Sequence, residues 1–279
     1  MRRLDPARWR SFTAIVGFAL TAVAVFLAIF GGAFAPFDPF ATRFPALQPP
    51  SPAHWLGTDD LGRDTFSGVV TGARASLLVG FATAAVAGLL GTAIGAIAGY
   101  YGGLVDDALM RVTELVQIVP RFFLALLVAA LFGPSLAFLT LLLALTFWPT
   151  TARIVRSQIL TLRNREWVLA ARAIGLGETR ILVRHVVPHA LGLIIVTGAL
   201  QIGAAILVEA SLSFLGLGDR SVISWGYMLN NAQPFLRVAW WLSVFPGIAL
   251  VLTVLGTNLL GDALYGMWDP ARGRAMPVA

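Results

Sequence analysis

The sequence predicts an all-α integral membrane protein with about six transmembrane helices, whose N- and C-termini both lie in the cytoplasm. Three observations predict this fold class: the composition, the uncharged stretches and the positions of the arginines. The 279 residues are 58% hydrophobic and only 12% charged, and their mean hydropathy is +0.81. Because soluble domains carry about 25% charged residues, this composition is typical of a chain that is solvated by lipid.

The residue types that the sequence lacks exclude several kinds of chemistry. There is no Cys, which excludes disulfides, thiol catalysis and Cys-ligated metal sites. There is also no Lys, so the chain has neither the Lys of a nucleotide-binding P-loop nor a Schiff-base lysine. If ATP drives this protein, another chain must hydrolyse it. The Arg residues are spread between apolar runs, so we expect no nucleic-acid partner.

Five uncharged stretches are each longer than the roughly 20 apolar residues that cross a bilayer. They are residues 11–37, 75–105, 122–152, 185–208 and 238–261. A Gly-Pro-Ser sequence at 133–135 interrupts the third stretch, because Pro stops a helix. We therefore expect one helix from near Leu109 to Phe132 and another from near Ser135 to about Arg153. The total is about six spans; five spans, with the termini on opposite sides, is the alternative.

The arginines predict the orientation of these spans. With six spans and a cytoplasmic N-terminus, 15 of the 20 Arg residues lie in inner segments, which is the bias that the positive-inside rule describes. A cleaved signal peptide is disfavoured, because the first apolar run is too long and Pro36 would follow the cleavage site. The expected organisation is a cytoplasmic N-terminus at residues 1–11, a first transmembrane helix at 12–35, an extracytoplasmic segment at 36–74, a domain of five helices at 75–262 and a cytoplasmic tail at 263–279.

A strip of small residues follows one face of the second predicted span. Gly91, Gly95 and Gly99 recur every four residues, and Ala87 lies one step earlier. A helix face without side chains lets another helix approach closely. The sequence leaves two partners open for this helix packing: a helix of the same chain, or a partner subunit or pore lining.

The longest predicted cytoplasmic loop, within residues 157–188, contains a short helix with signals at both ends. Asn164 is its expected N-cap, and Glu166 lies in the first turn, near the positive end of the helix dipole. Gly175 is the expected C′ residue that ends the helix. Pro188 then opens the next span, where a Pro in the first turn costs little.

One face of this short helix is expected to be apolar, because Trp167, Ala171 and Ile174 lie at positions i, i+4 and i+7. Small residues, including Ala170, keep its flank thin enough to enter a groove on a partner. The alternative is an amphipathic helix that lies on the lipid surface, which Arg and Trp also favour.

The spacing within this loop resembles a cytoplasmic motif of the permeases of ATP-binding-cassette (ABC) importers. That motif reads Glu-Ala-Ala, three residues, Gly, nine residues and Ile-x-Leu-Pro. Residues 169–171, Gly175 and residues 185–188 match this spacing without a gap. The Ala pair, the Gly and the Pro are kept, whereas Leu, His and Val stand where the motif has Glu, Ile and Leu.

Six further segments resemble the C-type permease subunit of the dipeptide and oligopeptide importers, a family that also carries nickel. They are residues 54–64, 72–77, 99–103, 209–218, 224–226 and 258–270. Together with the loop motif they cover nearly the whole chain in the right order, which makes the resemblance specific.

The resemblance implies the transmembrane subunit of a type I ABC importer in the inner (plasma) membrane, with no cofactor of its own. Such a subunit forms half of a translocation pathway for peptides or similar small solutes, and nickel or glutathione is the alternative cargo. The implied partners are a homologous second permease subunit, two cytoplasmic ATPase subunits, an extracytoplasmic substrate-binding protein and membrane lipid. The short helix would be the coupling helix that docks on an ATPase subunit. Its assigned residues are Glu166, Trp167, Ala170, Ala171, Ile174, Gly175 and Pro188.

Three other positions carry functional hypotheses. Glu209 lies near the outer end of the fifth predicted span, where a charge could hold a gate, contact the binding protein or sit at the lipid interface. The extracytoplasmic segment is either a docking rim for the binding protein or a passive connector. His185 and His189 have the spacing of a metal pair, but no carboxylate supports them and no metal site is expected.

Two other classes of function have less support. A membrane enzyme would need a nucleophile with a base, a zinc motif or paired intramembrane carboxylates, and the sequence contains none of these patterns. A secondary transporter or channel would need an ion or proton site of its own within the membrane, and few internal carboxylates are available.

Overall fold

The spans that hydropathy predicts are present as long helices. The computed structural model describes residues 12–268, without the side chains of the last two. Five helices in this part of the chain are long and apolar enough to cross a membrane, and a bent pair of shorter helices gives up to a sixth. The prediction of an all-α fold with about six spans is therefore confirmed.

Ten α-helices follow one another in the described residues. They are α1 (Phe12–Phe34), α2 (Thr65–Tyr101), α3 (Gly103–Ile118), α4 (Arg121–Phe132), α5 (Leu136–Leu162), α6 (Glu166–Ala173), α7 (Glu178–Ile181), α8 (Val187–Leu212), α9 (Trp225–Ala232) and α10 (Trp241–Trp268). Two π-helical turns, Leu182–Val186 and Ser213–Leu217, lie before and after α8. No described residue belongs to a multi-residue β-strand.

Close contacts between α2 and α5 give their relative direction. A Cβ atom added to Gly91 would lie 2.5 Å from the Cβ of Thr151, and one added to Gly99 would lie 2.7 Å from the carbonyl oxygen of Arg156. Residue numbers rise together along this contact, so α2 and α5 run parallel. The chain between them must therefore return along the length of the bundle.

The bent pair α3 and α4 provides this return. Asp106 near the start of α3 pairs with Arg156 of α5, and Arg121 at the start of α4 donates to the carbonyl of Thr146. Gly133, just after α4, lines a cavity with the first turns of α5. The pair therefore runs antiparallel to α5. It follows about 20 residues of α5, or about 30 Å, which is the thickness of the hydrocarbon core.

The predicted single helix from near Leu109 to Phe132 is wrong, because this segment is broken. The two parts separate at Val119 and Pro120 and meet at an angle of 70°. Pro120 has no N–H to donate and disfavours a helical residue before it, and Val119 is accordingly extended, with ψ of 119°.

Three further helix pairs run antiparallel, since residue numbers fall along one helix as they rise along the other. Between α2 and the α7–α8 segment, Gly80 contacts Ile206 and Tyr100 contacts Glu178. Between α8 and α10, Gly203 contacts Thr257 and Gly261 contacts Leu200. Between α1 and α10, Gly17 contacts Leu260 and Gly256 contacts Leu20. The start of α1, the end of α10 and α6 therefore lie at one end of the bundle, the α6 end. Residues 35–64 and α9 lie at the opposite end, the α9 end.

Two helices are longer than the hydropathy pattern predicts. α2 begins at Thr65, well before residue 75, because the carboxylate of Asp64 caps it by accepting a hydrogen bond from the backbone N–H of Ser67 at 2.8 Å. α5 continues past Arg153 to Leu162. At 1.5 Å per residue α2 measures about 55 Å, so it extends beyond a hydrocarbon core of about 30 Å.

Three of the buried clusters join the long helices to one another. One joins α2, α4, α5 and α8 around Leu143, a second lies at the α6 end around Ile159, and a third joins α1, α2, α8 and α10 with Trp225. Large apolar side chains also remain on the outside, such as Leu89, which is 74% exposed. Such a surface is expected where lipid or another subunit replaces water.

Candidate functional site

The α6 end of the bundle carries a helical hairpin, formed by α6 and the single turn α7. Glu166 begins α6 and Arg172 lies in its last turn, so both charges have the sign that the helix dipole favours. The predicted cap at Asn164 is wrong, because this residue lies one position too early, in the turn after α5. Arg165 is the N-cap residue, and its side chain makes no capping hydrogen bond.

The C-terminal end of α6 is closed by a left-handed glycine, as the sequence predicts. Gly175 has φ of +82°, and its N–H donates to the carbonyl of Arg172 at 2.9 Å. The N–H of Leu176 donates to the carbonyl of Ala171 at 3.1 Å. These two bonds are the Schellman arrangement, in which the left-handed residue is usually Gly. The turn therefore gives the hairpin a defined shape.

The buried face of α6 differs from the predicted one. Val168 is fully buried and Ala171 is 7% exposed, and both pack in the cluster around Ile159. The prediction that Ile174 shares a face with Ala171 is wrong, because Ile174 is 77% exposed. The i, i+4, i+7 spacing assumes a helix that continues through Ile174, whereas Ile174 is the C-cap, where the backbone leaves the helix.

α6 consequently turns a small apolar surface away from the molecule. Leu169 is 51% exposed and Ile174 is 77% exposed, and Ala170 and Ala173 are exposed on the same helix. We call these four residues the outer edge of α6. Two large apolar side chains and two methyl groups give this edge the shape of a ridge that a groove on another protein can cover.

Aromatic and charged side chains tie the hairpin to the spans. The ring of Trp167 stacks on His189 in the first turn of α8, with centroids 4.7 Å apart. Arg172 lies 5.4 Å from the ring centroid of Tyr100 near the end of α2, and its Nε is 3.1 Å from Glu178. The hydroxyl of Tyr100 also donates to Glu178. The hairpin is therefore attached to two spans besides α5, on which its buried face packs.

Pro188 lies in the first turn of α8, as predicted. The chain before it forms the π-helical turn Leu182–Val186, in which the N–H of Val187 donates to the carbonyl of Leu182. In a regular α-helix the ring of a Pro clashes with the carbonyl four residues earlier, and the wider π turn avoids this conflict. The hairpin thus continues into α8 without an intervening loop.

The glycine strip of α2 packs within the chain. A Cβ atom added to Gly95 would collide with the backbone of Ala152, and Gly91 and Gly99 approach α5 in the same way. A residue without a side chain is what allows two helix backbones to come this close. These contacts support the intrachain interpretation of the strip, because a face that α5 covers is not free to line a pore.

Glu209 is fully buried at the α9 end. Its Oε1 accepts hydrogen bonds from the hydroxyl of Ser213 at 2.7 Å and from that of Ser224, the N-cap of α9, at 2.9 Å. Its Oε2 has no hydrogen-bond partner among the described residues. Glu209 therefore ties the start of α9 to the end of α8, and in this conformation it offers no surface to a binding protein or to lipid headgroups.

Residues 35–64 fold into a cap over the α9 end. Thr58 is fully buried, and the indole N–H of Trp241 donates to its carbonyl at 3.2 Å. His54 Nδ1 lies 2.9 Å from the carboxylate of Asp64, which also caps α2. Trp55 is 65% exposed on the outside of this cap. These internal contacts favour a shaped outer surface over a passive connector.

A cavity lies beneath the cap, where an acidic pair meets α9. Asp59, Asp60, Arg63 and Tyr227 are among its lining residues. The guanidinium of Arg63 donates to Asp59 and, at 3.3 Å, to the hydroxyl of Tyr227. Burial raises the pKa of Asp60, and the negative charge of Asp59 adds to this effect. The sequence identifies this segment but gives no indication of the cavity.

His185 lies in the π-helical turn before α8, and His189 lies in the first turn of α8. Nδ1 of His189 lies 2.5 Å from the backbone carbonyl of His185, so this nitrogen meets a backbone carbonyl. Among the described residues there is no group of three His, Asp or Glu side chains that could hold an ion.

Three charged side chains inside the bundle have partners that the sequence does not indicate. Asp106 and Arg156 form an ion pair with two hydrogen bonds of 2.5 Å between α3 and α5. Arg121 donates to the carbonyl of Thr146 and lies 4.2 Å from the ring centroid of Phe147. The sequence marks each as a charge next to an uncharged stretch, but it gives no sign of a partner 50 or 25 residues away.

Comparisons with known proteins identify relatives over most of the chain. Residues 91–274 match the family described as the binding-protein-dependent transport system inner membrane component. The dipeptide transport system permease protein of Alkalihalophilus pseudofirmus is 40% identical over 260 residues, covering 92% of this chain and 85% of that protein. The oligopeptide transport system permease protein of Bacillus subtilis is 38% identical, with coverage of 92% and 85%. The glutathione transport system permease protein of Pectobacterium atrosepticum is 40% identical, with coverage of 79% and 74%.

Proposed function

Because the chain belongs to the family of inner membrane components of binding-protein-dependent transport systems, we propose that it imports peptides as one of two permease subunits and that α6 couples it to an ATPase subunit. It supplies half of the translocation pathway, and a homologous permease supplies the other half. Two cytoplasmic ATPase subunits hydrolyse the ATP. A binding protein delivers the solute to the α9 end, where the cap formed by residues 35–64 offers a docking surface.

The observation that carries this proposal is the exposed outer edge of α6. Leu169 and Ile174 are large apolar side chains that the chain itself leaves uncovered. Burying two such side chains in a groove would contribute about 2–4 kcal/mol. Beside them, Ala170 and Ala173 present only methyl groups, which leaves the edge narrow enough for a shallow groove.

The position of α6 favours a protein partner over the lipid surface. Its buried face packs beside Ile159, about 35 Å along α5 from the start of that helix at Leu136. The hydrocarbon core is about 30 Å thick, so α6 stands at or beyond the headgroups. A helix that lies in the lipid interface would instead turn its apolar face into the acyl chains.

The attachments of the hairpin explain how a movement of α6 would reach the pathway. Val168 and Ala171 hold it on α5, Trp167 holds it on α8, and Arg172 holds it near the end of α2. A displacement of α6 by a closing ATPase pair would therefore move three spans together. Such rigid-body movement is the kind of change that alternates a pathway between two packed states.

The names of the relatives indicate the class of solute. Dipeptides, oligopeptides and glutathione are all short peptides, and the relatives that carry these names cover most of this chain. We therefore infer a short peptide as the cargo. Glutathione falls within this class, and no contact of the described residues favours nickel.

A crosslinking experiment tests whether the outer edge of α6 meets an ATPase subunit. The chain has no Cys, so Ile174→Cys gives this subunit a single thiol. With a short thiol–amine crosslinker we expect the ATPase subunit to be captured by Ile174→Cys. The control is Leu131→Cys, which is 68% exposed but lies near the α9 end. Equal capture by both thiols, or capture by neither, would reject the coupling role.

A further inference from the structure

The span formed by α3 and α4 is interrupted at the middle of the membrane. The break lies at Val119 and Pro120, and Arg121 follows it at the start of α4. The Nε atom of Arg121 is 3.2 Å from the carbonyl oxygen of Thr146, which lies about 15 Å along α5 from its start at Leu136. This is half of a hydrocarbon core of about 30 Å.

Arg121 has no anionic partner in the described part of the chain. Its contacts are the bond to Thr146 and the ring of Phe147, and no carboxylate among residues 12–268 lies within ion-pair distance of it. Its two Nη atoms donate to none of these residues. Arg156, by contrast, donates hydrogen bonds to both carboxylate oxygens of Asp106. A cation–π contact offsets only part of the cost of a charge at this depth, so Arg121 has capacity for an anion.

The backbone at the break cannot face lipid. Ile118 is 70% exposed and Val119 is 47% exposed in the isolated chain. Backbone that leaves the helical form at this depth is tolerated only where protein covers it or where it lines a water-filled cavity. This side of the molecule is therefore the one that faces the second permease subunit and the pathway between the two subunits.

We propose that Arg121 binds the carboxylate of the transported solute halfway along the pathway. This inference rests on the proposed function, because a peptide cargo carries a carboxylate at its C-terminus. A guanidinium group binds a carboxylate through two parallel N–H···O bonds, and the free Nη atoms supply such donors. The bond to Thr146 and the ring of Phe147 hold the guanidinium at the break, where a passing solute meets it.

The charge and the water access of this site are tested with a single thiol beside it. Val119→Cys in the assembled importer is treated with an anionic reagent, sulfonatoethyl methanethiosulfonate, and with its cationic trimethylammonioethyl counterpart. Each rate is divided by the rate of the same reagent with a free thiol in solution. We expect the ratio of the anionic rate to the cationic rate to fall about tenfold when Arg121→Gln is added, because one nearby positive charge is lost. With Arg121→Lys, which keeps the charge, the ratio should stay unchanged.

The control thiol is Leu131→Cys, an exposed position near the other end of α4. Its rates should not depend on residue 121. A Val119→Cys thiol that reacts with neither reagent, or a ratio that is the same with and without Arg121, would overturn the proposal.

A peptide pair identifies the source of the carboxylate. Tri-alanine and tri-alanine amide are added to the same Val119→Cys importer at equal concentration. We expect tri-alanine to slow the anionic reagent at least about threefold, the amide to leave it unchanged, and Arg121→Gln to abolish the difference. If a carboxylate of the second permease subunit already holds Arg121, the ratio shows no preference for the anion and neither peptide changes it. That result, or an equal effect of both peptides, contradicts the proposal.

Co-purification of the ATPase subunits, measured on the same preparations, separates this inference from the proposed function. An importer that assembles with its ATPase subunits but shows no charge preference at Val119→Cys rejects the role of Arg121 alone. A chain that never assembles with an ATPase subunit rejects the proposed function. In that case the thiol rates of the chain alone in nanodiscs still report whether Arg121 sets the local charge.

Discussion

At the scale of the residue, a few polar side chains determine how segments meet. The hydroxyl of Ser224 accepts from the N–H of Tyr227 as the N-cap of α9, and it donates to Glu209 of α8. One hydroxyl therefore starts a helix and fixes its position against another. Glu209 serves here as a hydrogen-bond acceptor, since none of the described Arg residues forms an ion pair with it.

This role predicts different outcomes for two substitutions of Glu209. Glu209→Gln keeps the Oε1 acceptor for Ser213 and Ser224, so we expect a stability within about 1 kcal/mol of wild type. Glu209→Ala leaves two buried hydroxyls without their acceptor and creates a cavity, which should cost about 2–4 kcal/mol. Thermal unfolding of the purified chain in detergent measures both changes. Equal destabilisation by the two variants would show that Glu209 acts through its charge.

The sequence predicts local structure correctly where a position requires a backbone conformation that few residue types adopt. Gly175 was predicted correctly, because few other residues adopt φ near +82°. The cap at Asn164 was misplaced by one residue, since Asn and its neighbours can each occupy that position. The bond between Glu209 and Ser224 could not be predicted, because no local pattern encodes a contact between residues that turns bring together.

At the scale of the element, close backbone contact sets the geometry of α2 and α5. The glycines of α2 face α5, and any side chain on that face would separate the two helices. Dispersion and packing drive helix association inside a membrane, so this separation has a direct cost.

Two glycine substitutions in α2 should therefore have different effects on stability. Gly95→Ala places a Cβ against the backbone of Ala152, which cannot move without shifting α5, so we expect a loss of about 1–3 kcal/mol. Gly88 has no atom within 4 Å of an added Cβ, so Gly88→Ala should be neutral or stabilise by up to about 1 kcal/mol. The two melting temperatures in detergent give the comparison. A more stable Gly95→Ala variant would contradict this packing.

The broken span of α3 and α4 shows which features of a helix can be predicted from the sequence. Pro120 was present in the predicted third helix and is the cause of its break. The uncharged stretch begins only at residue 122, after the break, so the pattern of charges gives no sign of the 70° bend. The parallel contact of α2 and α5 depends on tertiary packing, and only that contact shows that the bent pair must cross the whole bundle.

At the scale of the whole molecule, the sequence established the fold class and the family, and the structure established the arrangement. Contacts between antiparallel helices place the start of α1, the end of α10 and the hairpin of α6 and α7 at one end. The Arg distribution predicts that this end is cytoplasmic. Neither hydropathy nor motif spacing revealed the outer edge of α6 or the buried state of Glu209, because both follow from how helices pack.

Thiol labelling of intact cells tests this orientation. Ala53→Cys and Ser221→Cys lie at the α9 end and should react with a maleimide that does not cross the membrane. Arg180→Cys lies exposed at the α6 end, outside the outer edge of α6, and should react only after the cells are permeabilised. Labelling of Arg180→Cys in intact cells would invert the predicted orientation and remove α6 from the cytoplasmic ATPase.

The most direct measurement of the central claim is solute-stimulated ATP hydrolysis by the assembled importer with a changed outer edge on α6. Ala171 is unsuitable for this change, because it packs inside the chain, whereas Ala170 is exposed. Ala170→Trp should leave the chain folded in the membrane but overpack the groove by about 1–3 kcal/mol, and Ala170→Ser is the small control. We predict that Ala170→Trp loses stimulated hydrolysis and ATPase co-purification at least about fivefold while Ala170→Ser keeps both. Wild-type hydrolysis and co-purification by Ala170→Trp would contradict the claim that α6 couples this permease to an ATPase.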